Sequence, residues 1–287
     1  MATININNIK KVGVVGAGTM GQGIAQLTAM AGYKTILYDL ERSALANAIT
    51  IIERNLSKGI EKGKVTAAQM QETLNNISTS TEMADVKADL IIEAVIEKLE
   101  VKQQVFSALE LINNKDTIFA SNTSSIPITQ IGASLKHPER LVGLHFFNPA
   151  HIMKLVEVIS GAATTSAIAS LTKEFAETLN KVAVQANDSP GFIVNRVARH
   201  FYGEGLKILE EQVADVDTID SLMQASGFKM GPFQLMDLIG VDTNFSVTTS
   251  IYNGFYQDSK FRPSRIQQQL VDAGHNGRKS GRGFYRY

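Results

Sequence analysis

The chain has 287 residues, of which 44% are hydrophobic and 20% charged, a composition typical of globular proteins and a length sufficient for two domains. Its 28 Lys and Arg balance 28 Asp and Glu, which argues against a bulk attraction to nucleic acid or to an anionic membrane. The absence of cysteine excludes disulfides, thiolate zinc sites and a cysteine nucleophile.

Targeting signals are not apparent in the sequence. The opening "MATININNIK" lacks the basic and apolar segments of a signal peptide. No apolar run approaches the roughly 20 residues that span a bilayer. We therefore expect a cytoplasmic enzyme or binding protein.

The first half of the chain alternates strand-like and helix-like segments. Continuous apolar strands alternating with helices are typical of a parallel sheet covered on both faces. We therefore predict an α/β domain with a doubly wound sheet. The predicted strands are 11–16, 34–39, 88–95, 116–122, 140–146, 154–159 and 181–186. The predicted helices are 19–31, 42–60, 100–112 and 167–180, with a helix or helical hairpin projecting over 53–70.

The pattern changes near "NDSPGFIVNR" (187–196), where a Ser-Pro-Gly turn signal precedes long helical periodicity. We predict two domains, 1–187 and 188–287, the second of them all-α. Its helices are predicted over 191–212, 216–226, 233–257 and 263–273. Within it, "MGPFQLMDLIG" has Met, Phe and Leu at helical spacing, which favours a core or a subunit interface over a ligand pocket; we prefer the interface.

A glycine motif opens the first domain. "VGVVGAGTMGQG" gives Gly16, Gly18 and Gly21 the spacing G-x-G-x-x-G between a strand and a helix, where backbone amides and the helix N-terminus bind a pyrophosphate. Asp39 ends the next strand and is placed to accept hydrogen bonds from ribose hydroxyls. The alternative is an ordinary glycine turn beside a surface aspartate. We predict a Rossmann-type domain that prefers NAD, since Asp39 repels the 2′-phosphate of NADP, although Arg42 softens that repulsion.

His145 and Glu157 lie in two strands joined by "FNPAHIM". If the strands pair antiparallel about His151, the two side chains face each other about 5 Å apart at Cβ, provided that the register does not slip. A histidine oriented by a carboxylate is a general base suited to oxidising an alcohol. The alternative is a structural histidine between apolar neighbours, which the nucleotide motif makes less favoured.

These motifs together carry a family resemblance. The chain resembles the short-form L-3-hydroxyacyl-CoA dehydrogenases, particularly the bacterial 3-hydroxybutyryl-CoA dehydrogenases, over nearly its whole length. The segments that carry the resemblance are "VGVVGAGTMGQGIAQ", "YDLERSAL", "ADLIIEAVIEKLEVKQQVF", "TIFASNTSSIPIT", "ERLVGLHFFNPAHIMKLVEVI", "DSPGFIVNR", "MGPFQLMDLIGVDT" and "GRKSGRGFYRY".

The resemblance implies catalytic roles for four residues. His145 is the implied general base and Glu157 its partner, whereas His151 is only a loop residue. Ser124 is implied to hydrogen-bond the substrate's 3-oxygen or the catalytic histidine, and Asn195 to bind near the substrate carbonyl. From the residues alone, "SNTSS" is equally well a capped turn, and Asn195 is an ordinary helix residue.

The resemblance also implies binding roles. Asn122 and Asn148 position cofactor and substrate, and Glu97 and Lys102 lie near the nicotinamide ribose. Composition alone favours a solvated helix face for the latter two. Two lysines complete the set, each with an open alternative: Lys58 near coenzyme A or on a solvated helix face, and Lys279 at the nucleotide or in a basic tail.

The implied activity is the reversible, NAD-linked oxidation of a short-chain (S)-3-hydroxyacyl-CoA, with an acyl-CoA as substrate and a homodimer formed by the helical domain. Two alternatives are a related dehydrogenase of a free hydroxy acid of the sugar-acid type and a non-catalytic, crystallin-like use of the fold. A zinc alcohol dehydrogenase is excluded by the missing ligands, and no metal is expected. The absence of G-x-S-x-G argues against a serine hydrolase.

Overall fold

The computed structural model describes residues 5–287. The chain divides into two compact units, Met1–Asp188 and Ser189–Tyr287. This boundary lies one residue after the predicted one, which separated residues 187 and 188. Among the described residues, no helix is both long and apolar enough to cross a membrane.

The first unit is built on one eight-stranded sheet. Its strands are β1 (Lys11–Val15), β2 (Lys34–Tyr38), β3 (Ile77–Ser80), β4 (Leu90–Glu93), β5 (Ile118–Ser121), β6 (Leu141–Phe146), β7 (Leu155–Ser160) and β8 (Val182–Asn187). Its helices are α1 (Thr19–Met30), α2 (Arg42–Glu61), α3 (Ala67–Asn75), α4 (Leu99–Ile112), α5 (Ile128–Gly132) and α6 (Ser166–Thr178), with 3₁₀ turns at Ile6–Asn8, Met83–Asp85 and Pro138–Arg140.

The strand order is β3-β2-β1-β4-β5-β6-β7-β8. All neighbouring strands are parallel except β6 and β7, which are antiparallel. The order reverses beside β1, so the carboxyl ends of β1 and β4 flank a crevice of the kind that binds ligands in doubly wound sheets. The predicted α/β fold class is confirmed, and the predicted hairpin over 53–70 is the α2–α3 pair.

The core of this unit follows from the continuous apolar strands. Val12, Val14, Leu90 and Ile92 of the central strands are fully buried and pack with apolar residues of the covering helices. Burial on both faces explains why these strands show no polar alternation. β3 was not predicted because "ISTS" is polar and only half-buried at the sheet edge.

The second unit is helical, as predicted. Its helices are α7 (Val194–Glu210), α8 (Val216–Ala225), α9 (Pro232–Ile239), α10 (Val241–Gly254) and α11 (Arg265–Asp272), with 3₁₀ turns at Ser259–Phe261 and Arg278–Ser280. The prediction of one helix over 233–257 is wrong. Gly240 adopts φ +105°, a conformation that L-residues rarely adopt, and separates α9 from α10.

Two buried aspartates hold the end of the chain against this unit. Asp237 accepts from the backbone amides of Phe284 and Tyr285 at 2.9 Å and from the Tyr287 hydroxyl at 3.1 Å. Asp220 accepts from the Tyr285 hydroxyl at 2.9 Å. These bonds satisfy carboxylates that are each 1% exposed, as buried charges require.

The segment "MGPFQLMDLIG" belongs largely to the core of the unit. Phe233 and Met236 are fully buried and pack with Tyr202, Leu206 and Ile219. Our preference for a subunit interface is therefore wrong for these two side chains. Their burial within the unit accounts for the helical spacing.

Candidate active site

The glycine motif forms the turn between β1 and α1. Gly16 has φ +103°, and a Cβ atom at Gly21 would lie 1.7 Å from the Gly16 carbonyl oxygen, so helix and strand approach as only glycine permits. Nothing lies within 4 Å of the Cβ position at Gly18. Gly18 is the N-cap of α1 and provides no side-chain cap. The turn thus offers open space and helix N–H groups suited to a pyrophosphate.

Asp39 lies beside this turn. Its Oδ2 accepts from the Ala17 amide at 2.7 Å and its Oδ1 from the Glu41 amide at 3.0 Å. The carboxylate is therefore fixed at the carboxyl end of β2, and its remaining lone pairs suit ribose hydroxyl donors. Together the turn and Asp39 fit a dinucleotide.

His145 and Glu157 form a buried contact. The antiparallel register of β6 and β7 pairs the two residues directly, as the hairpin interpretation required. His145 Nδ1 lies 2.8 Å from Glu157 Oε2, and the residues are 5% and 0% exposed. A buried carboxylate facing Nδ1 favours the tautomer with its proton there, so the lone pair is on Nε2.

The surroundings of His145 hold its strand and ring in place. The ring of Phe147 packs against the imidazole with centroids 4.5 Å apart. Asn122, which follows β5, accepts the Phe146 amide with its side-chain oxygen at 2.9 Å. Asn122 thus connects the carboxyl ends of β5 and β6, where ligands bind in this class of sheet.

A second buried charge cluster lies at the carboxyl end of β4. The Lys102 ammonium of α4 lies 2.7 Å from Glu93 Oε1 and 3.1 Å from Glu97 Oε2. Lys102 is 1% exposed, so the solvated-face alternative is wrong for this residue. Burial raises the pKa of Glu93, against the opposing effects of Lys102 and of hydrogen bonds from the Ser121 hydroxyl and the Val95 amide.

Glu97 connects this cluster to the loop after β5. Its Oε1 accepts from the Thr123 hydroxyl at 2.6 Å and from the amides of Ser124 and Ser125 at 2.9 and 3.2 Å. Burial alone would raise the pKa of Glu97, but Lys102 and these donors outweigh it and lower the pKa below its ordinary value. The Ser124 hydroxyl also donates to Glu97 at 3.3 Å, so Ser124 is oriented by an anion.

The remaining predicted residues lie on other elements. Asn195 lies in the first turn of α7, and Asn148 is exposed in the loop between β6 and β7. Lys58 is exposed in the last turn of α2. The Lys279 ammonium pairs with Asp242 at 2.7 Å within the helical unit.

Sequence reasoning missed several supporting groups. Glu93, Ser121 and Thr123 follow or end apolar strands, and that position is the signal by which they were detectable. Lys181 gives no such signal. Its ammonium donates to the carbonyls of Ala150 and Met153 at 2.6 and 2.8 Å and so anchors the loop that contains His151.

The doubly wound sheet, the glycine turn and Asp39 define a Rossmann-type dinucleotide-binding protein. Two family models match the chain. The model of the NAD binding domain of 3-hydroxyacyl-CoA dehydrogenase matches residues 11–189, and the model of the C-terminal domain of the same enzyme matches residues 191–287. The chain belongs to the 3-hydroxyacyl-CoA dehydrogenase family, which confirms the predicted family and NAD as cofactor.

Individual relatives agree with this assignment. The chain is 47% identical over 280 residues to 3-hydroxyadipyl-CoA dehydrogenase of Escherichia coli (strain K12), covering 97% of this chain and 59% of that protein. It is 42% identical over 281 residues to the probable 3-hydroxybutyryl-CoA dehydrogenase of Bacillus subtilis (strain 168), covering 97% and 98%. The crystal structure of (S)-3-hydroxybutyryl-CoA dehydrogenase from Ralstonia eutropha matches with a TM-score of 0.93 and 37% identity, covering 98% and 99%.

Proposed function

We propose that this protein catalyses the reversible, NAD-linked oxidation of short-chain (S)-3-hydroxyacyl-CoA esters to 3-oxoacyl-CoA esters, with 3-hydroxybutyryl-CoA as the reference substrate. The observation that carries the proposal is the buried 2.8 Å contact between His145 Nδ1 and Glu157 Oε2 at the carboxyl edge of a dinucleotide-binding sheet. Family membership supplies the substrate class.

His145 acts as the general base in this proposal. Its Nε2 lone pair takes the proton of the 3-hydroxyl group while C3 loses hydride, and the C–O bond becomes a carbonyl. NAD held at the Gly16–Gly21 turn and Asp39 would supply the acceptor for that hydride. Glu157 stabilises the imidazolium that forms and keeps the ring oriented. In the reverse direction the imidazolium returns the proton to the oxygen.

Ser124 and Asn195 are assigned to the substrate oxygen. The hydrogen bonds from Ser124 to Glu97 support a fixed position for its hydroxyl, which neither gains nor loses a proton at neutral pH. Asn122 and Asn148 are assigned to positioning, Glu97 and Lys102 to the nicotinamide ribose, Lys58 to coenzyme A and Lys279 to the nucleotide. A homodimer through the helical unit and a cytoplasmic location complete the proposal.

The names of the relatives bear on the acyl chain. The E. coli name specifies a six-carbon acyl chain with a second carboxyl group, and the B. subtilis name a four-carbon chain. Both are short 3-hydroxyacyl groups on coenzyme A, which supports the class proposed.

The decisive experiment measures NADH oxidation with acetoacetyl-CoA, longer 3-oxoacyl-CoA esters and free acetoacetate. We expect turnover of the CoA esters and at least ~10²-fold lower kcat/KM for free acetoacetate, the scale of remote binding energy lost from a truncated substrate. Faster turnover of the free acid would favour the sugar-acid type of dehydrogenase. No turnover of any substrate by folded, NADH-binding protein would favour a non-catalytic use of the fold.

A further inference from the structure

The loop between β6 and β7 is held by a buried lysine. Lys181 lies immediately before β8 and is 8% exposed. Its ammonium donates to the carbonyls of Ala150 and Met153 at 2.6 and 2.8 Å, and burial lowers its pKa. Burying an ammonium group is costly, and both of its described hydrogen bonds end in this loop. These bonds offset the cost and fix the conformation of residues 147–154.

The loop is a tight turn with one buried side chain. The Pro149 carbonyl accepts from the amides of Ile152 and Met153 at 3.0 and 2.9 Å. Ile152 and Met153 are exposed, whereas Ala150 is 2% exposed and belongs to the apolar core of the α/β unit. Because Lys181 binds the carbonyl of Ala150, it holds this residue in the core.

Ala150 faces a glycine on the helix that follows the nucleotide-binding turn. Gly23 is the last glycine of "VGVVGAGTMGQG" and lies outside the G-x-G-x-x-G spacing. It is buried in the second turn of α1, where a Cβ atom would lie 3.2 Å from the Ala150 Cβ. The optimum between two carbon atoms is roughly 3.5–4.0 Å. Gly23 therefore lets α1 and the loop approach more closely than an alanine would.

This contact lies between the cofactor helix and the histidine. Gly23 is five residues from Gly18, the N-cap of α1, which is about 7.5 Å along the helix. The N-terminus of α1 is the end suited to a pyrophosphate. Ala150 is five residues after His145 along the chain. A shift of Ala150 against α1 therefore changes the position of the cofactor relative to the general base.

We propose that Lys181 is a positioning residue that holds Ala150 against Gly23. The contact sets the separation between α1 and the His145–Glu157 pair. This rests on the proposed function, in which hydride leaves C3 as His145 takes the proton. Hydride transfer is sensitive to that separation, because a misplacement of about 1 Å costs roughly 10²-fold in rate. Lys181 acts on the reaction through the loop and not by touching cofactor or substrate.

The first test follows the pre-steady-state oxidation of enzyme-bound NADH by saturating acetoacetyl-CoA. The amplitude counts the competent sites, whereas the rate constant reports their geometry. Lys181→Met should lower the rate constant about tenfold, as for a displacement of roughly half an ångström, with the Kd of NADH nearly unchanged. Lys173→Met removes a lysine of α6 whose side chain is 42% exposed. It is the matched control and should keep the wild-type rate constant and amplitude.

The second test leaves Lys181 in place. Gly23→Ala adds a Cβ atom that forces Ala150 to move by a few tenths of an ångström. We expect the rate constant to fall about 3- to 10-fold. Adding Ala150→Gly to this variant removes the opposing methyl group, so the double variant should recover most of the loss.

Two results would overturn the assignment. The first is a wild-type rate constant in Lys181→Met with only its amplitude or stability lowered, since Lys181 would then have a purely structural role. The second is an unchanged rate constant in Gly23→Ala, or a loss that Ala150→Gly does not relieve. If Lys181→Met does not fold, the variants of Gly23 and Ala150 decide alone. Failure of the proposed function is distinct, because wild-type protein would then not oxidise bound NADH with acetoacetyl-CoA.

Discussion

The two units differ in how their buried charges at the described sites are partnered. In the α/β unit Lys102 contacts Glu93 and Glu97, and His145 contacts Glu157, whereas Lys181 donates only to backbone carbonyls. Charges that are matched inside the protein keep their geometry without a ligand, because each partner stabilises the other's charged form.

In the helical unit the buried charges are bound by neutral groups. Arg199 donates only to carbonyl and hydroxyl oxygens, and Asp220 and Asp237 accept from backbone amides and tyrosine hydroxyls. The aspartates thereby stabilise the fold of the unit, and Arg199 connects α7 to α10. The contrast separates ion-paired side chains at the edge of the sheet from charges whose neutral partners hold the helical unit together.

The largest effect is expected at the matched pair in the α/β unit. Lys102→Met leaves Glu93 buried without its cation and should lower the free energy of unfolding by about 3–5 kcal/mol. Chemical denaturation measures this, with Lys115→Met, an exposed lysine, as the control. The double variant Glu93→Gln, Lys102→Met should recover part of the loss. If Lys102→Met and its control Lys115→Met were equally stable, the ion pair of the α/β unit would not contribute the stability assigned to it.

At His145 we expect a catalytic rather than a structural effect. His145→Gln should lower kcat by ~10²-fold or more, the scale of general-base loss, with NADH affinity nearly intact. His151→Gln, in the loop between β6 and β7, is the control and should keep wild-type kcat. Near-wild-type turnover by His145→Gln would take this residue out of the mechanism. Steady-state kinetics and NADH fluorescence titration give the two readouts.

The next effect is expected at Asp39, beside the glycine turn of the α/β unit. Asp39→Ala should weaken NADH binding about tenfold, as expected for hydrogen bonds to a charged group, and should relax the rejection of NADPH. Asp116→Ala changes an exposed aspartate of the same unit and should alter neither. An unchanged ratio of the two Kd values would place the ribose contact elsewhere.

The smallest effect is expected at Glu97. Its pKa is lowered in the folded state by Lys102 and by the donors of the β5 loop, in spite of burial. Its stabilising contribution is therefore complete above the ordinary carboxyl pKa and is lost as the pH falls through the lower folded value. Glu97→Gln should be less stable than wild type at neutral pH, and the difference should shrink below pH 4.5. A difference independent of pH would argue that Glu97 acts only through its hydrogen bonds.

Sequence patterns were informative wherever period and spacing determine geometry. The alternation of apolar strands with helices predicted the sheet. The two-residue period of side chains along a strand predicted that His145 and Glu157 face each other. They were less informative for Lys102, because a buried lysine and a solvated one have the same neighbours along the chain. The break at Gly240 was missed because one glycine inside a helical period is often tolerated. Asp39 was evident from spacing, whereas the burial of Arg199 depends on α10 folding beside α7.

The bonds from Asp220 and Asp237 to the end of the chain have a practical consequence for protein preparation. Tyr285 and Tyr287 supply hydroxyl donors, and Phe284 a backbone amide, to carboxylates that are otherwise enclosed. Deleting these residues would leave two buried anions short of partners. Expression variants should therefore retain residues 284–287.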